Sequence, residues 1–395
     1  GGLRLGEPGV GPRSRAKGPG VAGRCGTRDG SRTAIHSFAL LDLSFAMPKY
    51  APAPTVDPST WSALLPLADV LEKWAPWKFA SDLDCVGLMD AGNGDYRVAH
   101  MLGNAGEVFA AIIYRRRGIA WLLKALNQDF DPRDLSALEE MDCLKVEFVP
   151  KRELAKEDLA MLKTAGFKPS KRGGLWPQFR STIPGWHPWH IDQAEADQLL
   201  QDLPRLTAFL RLVESNLSLF EERSPEKLPF LPAALPNRPL TLDDLSWRSC
   251  IRLPDPPLPP FVPPPSELDA LRKLPRSPRL VFEFDSALLP GASLLEDGRP
   301  CFGRVALLVE SANGIVIGAE AKSGVMPPGE ATGAVLVSLL LRSPGLPSTI
   351  VLRTPRWRPV VAGLCRELGI EIRLAKRLPA LEEALAYLEQ SFIRD

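Results

Sequence analysis

The sequence has little of what most readable functional sites are made from. Only four of its 395 residues are histidine, and His36 falls in a stretch without apolar periodicity, so imidazole catalysis has few places to sit. There is no G-x-S-x-G, no H-E-x-x-H and no Cys-His arrangement, which removes nucleophile-elbow hydrolases and helix-borne zinc peptidases as templates. The six cysteines (Cys25, Cys85, Cys143, Cys250, Cys301, Cys365) include no C-x-x-C and no close pair. That excludes a zinc ribbon and a disulfide framework, and predicts thiols used as small hydrophobes in a reducing, cytoplasmic compartment. No run approaches the roughly 20 apolar residues of a spanning helix, so no membrane partner is expected. The net charge of +1 is too small to mark a nucleic-acid binder by bulk charge.

What is present is an ordinary globular composition, 45% hydrophobic and 24% charged, on a chain long enough for two domains. Residues 1–46 are a Gly/Arg-rich leader with seven Lys/Arg against three Asp/Glu. Such a stretch cannot bury enough surface to order itself, and a plausible start at Met47 suggests a leader that is not native. Residues 47–224 form the first domain, of α+β class. "DPSTWSALLPLADVLEKW" has helical spacing despite Pro66, and "CVGLMD" and "YRVAHMLGN" flank the turn "AGNGD" as a hairpin. "EVFAAIIYR" and "CLKVEFV" are further strands, "KEDLAMLKTAG" is a helix ended by Gly166, and "DQAE" at Asp192 and Glu195 is a capping box opening a long helix. Residues 225–278 hold fifteen prolines and predict a semi-rigid proline-rich linker.

Residues 279–395 are the most legible. "LVFEFD", "RVALLVES" and "IVIGAEAK" are three strands, the last two joined through Asn313-Gly314. "GEATGAVLVSLLLRS" is a helix, "STIVLRT" a strand, "RWRPVVAGLCRELG" a helix, "IEIRLA" a strand and "ALEEALAYLEQSF" a closing helix. The predicted class is α/β in the order βββαβαβα, an antiparallel hairpin continued by right-handed parallel crossovers.

That order resembles the ribonuclease H-like fold of ribonucleases H and retroviral-type integrases. The resemblance implies two Mg²⁺ or Mn²⁺ ions held by carboxylates from the first strand, the fourth strand and flanking helices. Asp285, at the expected end of strand one, falls at the first such position; Glu330 matches a second, and Glu382 or Glu383 a third. Strand four departs from the pattern: Thr354 stands where an acid is required, with Arg353, Arg356 and Arg358 around Trp357. Cations there oppose divalent metals. A long loop, 286–302, is expected where the family has a short turn. Taken whole, the chain also resembles bacterial two-domain proteins of unknown function, on the segments "HMLGNAGEVFAAIIYR", "PQFRSTIPGWHPW" and "LRTPRWRPVVAGLCRELGIEI".

Other constellations are weaker. Gly103 and Gly106 could present backbone amides to an anion, but they precede a strand and lack the Lys-Ser/Thr of a P-loop. His187 and His190 have metal-like spacing without further ligands nearby. "GFKPSKRGGLWPQFR" sets Lys168, Lys171 and Arg172 beside Trp176 without any acid, a combination that suits single-stranded nucleic acid when joined by Arg353, Arg356, Trp357 and Arg358. The sequence thus supports a non-catalytic binding or regulatory protein without cofactor, with an unknown protein partner and a nucleic-acid contact through these patches. The alternative is a divalent-metal phosphodiesterase using Asp285, Glu330 and Glu382 or Glu383.

Overall fold

Two apolar patterns of period two, one in each half of the chain, organise two sheets. The computed structural model describes residues 51–90, 95–126, 137–168, 174–220, 227–250 and 257–392. The leader, the turn 91–94, and Lys171 and Arg172 lie outside them.

The first sheet runs β5-β4-β3-β2-β1-β6-β7, from strands β1 (Val86–Met89), β2 (Tyr96–Leu102), β3 (Ala110–Tyr114), β4 (Cys143–Val149), β5 (Trp176–Thr182), β6 (Lys227–Leu231) and β7 (Ser246–Ser249). Only the β1–β6 pairing is parallel among these. Both faces are covered. Alternation in β3 sends Ala111 and Ile113 to the core shared with helices α1 (Pro58–Trp74) and α5 (Gln193–Ser215), and Ile112 and Tyr114 to a second core with α2 (Arg116–Leu126). Helix α5 begins as the sequence predicts: the Glu195 amide donates to Asp192 Oδ1 at 2.9 Å and the Asp192 amide to Glu195 Oε2 at 3.2 Å. Helix α3 (Ala137–Glu140) and helix α4 (Lys156–Thr164) flank β4, and Gly166 after α4 takes φ +70°. Gly87 is required because the Phe230 ring crosses β1, 2.3 Å from where a Cβ would stand.

The expected linker does more than connect. Its residues supply β6 and β7 to the first sheet and helix α6 (Pro265–Arg272), whose Leu271 is buried with Phe282 and Ile350 in the core of the C-terminal domain. The run 257–264 is neither helix nor strand, as prolines without amide hydrogens favour. It lies against helices α7 (Pro328–Arg342) and α8 (Trp357–Glu367): the Phe261 amide donates to the Val360 carbonyl at 3.0 Å, and its ring fills the space over Gly333, 2.1 Å from an added Cβ.

The second sheet runs β10-β9-β8-β11-β12, from β8 (Arg276–Glu296), β9 (Arg299–Glu310), β10 (Val316–Ser323), β11 (Leu346–Leu352) and β12 (Glu371–Leu374). The β8–β9–β10 pairings are antiparallel, and β11 lies parallel to both β8 and β12. In chain order the strands stand 3-2-1-4-5. Phe282, Phe284, Leu308 and Ile350 form one core with α7 and α8, while Leu307 and Val309 form another with Leu378 and with Leu381 of α9 (Pro379–Phe392).

Two expectations need correction here. Residues 286–302 are not a loop: β8 and β9 stay paired through a register shift after Leu289, out to Glu296 opposite Arg299. The hairpin closes on Asp297 and Gly298, both with positive φ (51° and 77°), the pair that a tight two-residue turn demands. Asp285 consequently stands inside a 21-residue strand, opposite Leu307, and not at its end.

Candidate functional site

The turn between β11 and α8 sets the site. After Leu352 the chain passes Arg353, Thr354, Pro355 and Arg356; the Trp357 amide donates to the Thr354 carbonyl at 3.2 Å, and Arg358 to Pro355 at 3.0 Å. Thr354, at the position lacking the acid, thus closes the turn with its main chain. Trp357 is 1% exposed and packs in the core with Val360 and Val361. A ring so placed cannot stack on a base, which corrects its assignment as a nucleic-acid contact. Arg358 and Arg353 remain on the surface.

Arg353 reaches across to β8, where its Nη2 donates to Asp285 Oδ2 at 2.5 Å. Asp285 Oδ1 accepts from the Ser286 amide at 2.9 Å. Burial pushes the Asp285 carboxyl above the usual aspartate range; the Arg353 charge, the Ser286 amide and a hydrogen bond from the Trp357 side chain pull the other way without cancelling it. The carboxylate therefore already has a cation in place.

The other acids of the phosphodiesterase alternative are disposed differently. Glu330 is exposed in the first turn of α7, and the bond from that helix to β8 comes from Thr332 Oγ1 to Ser286 Oγ at 3.0 Å. Glu382 is held by Arg377 at 2.8 Å, which lowers its pKa; the Leu378 amide and the Arg353 charge add to this. Glu383 is exposed. Among the described residues no three of His, Cys, Asp and Glu gather closely enough to hold a metal ion. Asp285, Glu330 and Glu382 or Glu383 are therefore not assembled as the alternative requires.

The histidines do not converge either. His187 packs tilted against Phe302, ring centroids 4.0 Å apart and planes at 37°, and His190 Nδ1 lies 3.5 Å from Asp158 Oδ1. The glycine turn at 103–106 does hold an anion with its amides, but the anion is internal: Asp82 Oδ1 accepts from Gly103 at 3.0 Å and Asn104 at 3.2 Å. In the first basic aromatic patch Lys168 is exposed. Trp176 is partly buried, edge-on to Phe167 at 5.8 Å, with Lys151 5.3 Å from its ring centroid. Trp176 belongs to β5 of the first sheet, and Arg353 and Arg358 follow β11 of the second; Lys171 and Arg172 lie outside the described residues.

Two groups escaped the sequence reading. Glu283, buried in β8 two residues before Asp285, accepts from the Leu381 amide at 2.9 Å and from Ser311 Oγ at 3.0 Å, so it caps the first turn of α9. Its signal was period two: in "FEFD" both acids fall on one face of a buried strand. The second is Arg304, 1% exposed in β9, whose Nη1 lies 2.8 Å from Glu139 Oε1; Glu139 Oε2 is 2.5 Å from Arg356 Nη1. An arginine inside "CFGRVALLVE" had to find an acid, and the acid comes from α3 of the first sheet's domain. Main-chain bonds run alongside: Gly185 donates to Leu138 at 3.0 Å, Phe302 to Gly185 at 2.9 Å and His187 to Pro300 at 3.2 Å.

Comparison with known proteins adds organisation. Residues 61–230 match a family model described as Domain of unknown function (DUF7309), reaching into β6. Residues 267–389 match a second, Domain of unknown function (DUF6930). No curated protein and no solved structure matches the chain. Two matched segments, each built around its own sheet, make this a two-domain protein of unknown function with mixed helices and strands.

Proposed function

We propose that the protein is a non-catalytic binding or regulatory module, with a C-terminal domain of ribonuclease H-like descent that has given up metal chemistry. The strand order 3-2-1-4-5 and the βββαβαβα succession support the fold part of this reading. The observation that carries the functional part is the Arg353–Asp285 ion pair. A guanidinium bonded to the first-strand carboxylate stands where the resemblance requires a divalent ion, and two cations cannot share one buried carboxylate without strong repulsion. A cytoplasmic setting is supported by the thiols of Cys85, Cys143, Cys250, Cys301 and Cys365, none of which is in a disulfide. Among the described residues, no helix is long and apolar enough to cross a membrane.

Incubation of the full chain with single-stranded, duplex and hybrid nucleic acids plus Mn²⁺ should give no cleavage. Cleavage that disappears in Asp285→Asn would establish the phosphodiesterase instead. A nucleic-acid contact, if made through the exposed cations, should weaken steeply with salt, and Arg358→Ala should reduce the log–log salt slope by about 1. Salt-independent binding, or none, removes that part of the reading.

A further inference from the structure

The Arg304–Glu139–Arg356 group is not explained by the ion pair at Asp285. Arg304 lies inside β9, and its guanidinium stands 5.6 Å from the Trp357 ring centroid; that of Arg356 stands 4.6 Å from the same ring. One carboxylate, Glu139, serves both, leaving one positive charge in excess. The neighbouring cations do not alter this balance. Lys322, the register partner of Arg304 on β10, shares Glu320 with Arg342, and Arg353 is engaged by Asp285, so neither brings a spare anion to Arg304.

The charges are adjacent, yet the donors are not satisfied. Arg304 Nη1 has Glu139 Oε1 at 2.8 Å, but the buried Nε and Nη2 of the same guanidinium reach no acceptor among the described residues. Glu139 reaches one nitrogen of each guanidinium, with one oxygen apiece, and brings a single negative charge to two positive ones. A phosphate group, tetrahedral and dianionic, offers more acceptors and matches the charge of two arginines.

We propose that the guanidiniums of Arg304 and Arg356, both resting on the buried Trp357 ring, form a site for a dianionic phosphate group, and that Glu139 of the N-terminal domain covers it as an internal competitor. This extends the binding reading above by naming the ligand chemistry, a terminal phosphate, whether of a small molecule or of a nucleic-acid end. A ligand would displace Glu139 and so loosen the contact that α3 makes with β9 and α8, coupling occupancy to the junction of the two domains.

The test is calorimetric titration of the full chain with inorganic phosphate, and with a 5′-phosphorylated oligothymidylate against its 5′-hydroxyl counterpart. Phosphate should bind Glu139→Gln about tenfold more tightly than the natural sequence, the gain expected if Glu139 is seated nine-tenths of the time. Arg356→Ala, which leaves the Arg304–Glu139 pair intact, should lose binding. Should Glu139→Gln prove too unstable to titrate, its melting temperature must rise with added phosphate, since a ligand of the native state stabilises it. Unchanged affinity in Glu139→Gln, equal binding by Arg356→Ala, or a melt indifferent to phosphate overturns the proposal. Equal binding of both oligonucleotides, without any response to phosphate, would also overturn it while leaving nucleic-acid contact standing. Response to inorganic phosphate with neither oligonucleotide bound would support the site and remove the nucleic-acid part of the broader reading.

Discussion

Replacing Arg353 with methionine isolates the electrostatics of the Asp285 position. The change leaves a buried carboxylate with the Ser286 amide and the Trp357 side chain but no cation. Breaking a wholly buried ion pair costs about 3–5 kcal/mol, and breaking an exposed one about 0–1. The Arg353 side chain is 39% exposed, so much of its field is screened; with two donors still on Asp285, a loss of about 1–2 kcal/mol at pH 8 is the reasoned value. Its pH dependence has a definite sign. The folded-state pKa of Asp285 is raised by burial, so the folded protein binds this proton more readily than the unfolded chain does. Its contribution to stability is then fully present below about pH 4, the unfolded aspartate value, and is lost as pH rises through the raised folded value. Arg353 holds that folded value down; without it the window widens and the penalty grows toward higher pH. Urea unfolding at pH 4, 6 and 8 should therefore show a deficit in Arg353→Met that is small at the acid end and largest at pH 8. Asp285→Asn should cost less than Arg353→Met at pH 8, since Arg353 can turn to water. A deficit independent of pH, or the reverse order of the two variants, would refute the view that Arg353 stands in for a metal.

Other outcomes follow from single contacts. Glu283→Gln should destabilise by about 1–2 kcal/mol, through loss of a charged cap and a Ser311 bond, and should speed amide exchange in the first turn of α9. Gly87→Ala should cost more than about 2 kcal/mol in denaturant unfolding, because Phe230 cannot leave a core buried on both faces. Burial pushes the Cys365 thiol up to about 12, so iodoacetamide at pH 8 should leave it unmodified in the native protein and label it after unfolding; native labelling would contradict its burial.

The sequence was most informative where a single pattern decides the structure. "DQAE" fixes the start of α5 because one side chain and one amide on each side suffice, and the βββαβαβα order follows from apolar periodicity switching between two and about 3.6. It misled where a local signal has two uses. Pro290 and Gly291 after "FDSALL" resemble a strand end, yet they accompany a register shift through which pairing continues, so the true turn is Asp297-Gly298. Prolines between 225 and 278 resemble a linker, yet proline is tolerated in a short strand near a sheet edge, and Pro229 stands in β6 opposite Trp247 of the edge strand β7. Trp357 among three arginines resembles a stacking platform, but the first residue of α8 faces inward, with Arg356 over its ring, while Arg353 and Arg358 are exposed.

The functional group at the domain junction was illegible for a different reason. Arg304 and Glu139 are separated by more than a hundred residues and by the whole second half of the first domain, so no spacing rule links them. The sequence does state the problem: an arginine in a continuous buried strand needs a counter-charge. Only folding says which acid answers, and the answer is an incomplete one: one nitrogen of the guanidinium meets Glu139, and two buried ones reach no acceptor among the described residues. A pair retained for stability alone would be expected to align its donors, because the alternative of two apolar side chains is no worse. The Asp285–Arg353 pair is aligned, at 2.5 Å, and closes a position. The Glu139 bridge leaves buried Arg304 donors without acceptors and carries excess positive charge, which is the state expected of a site whose own ligand offers more oxygens and more charge than the carboxylate that covers it.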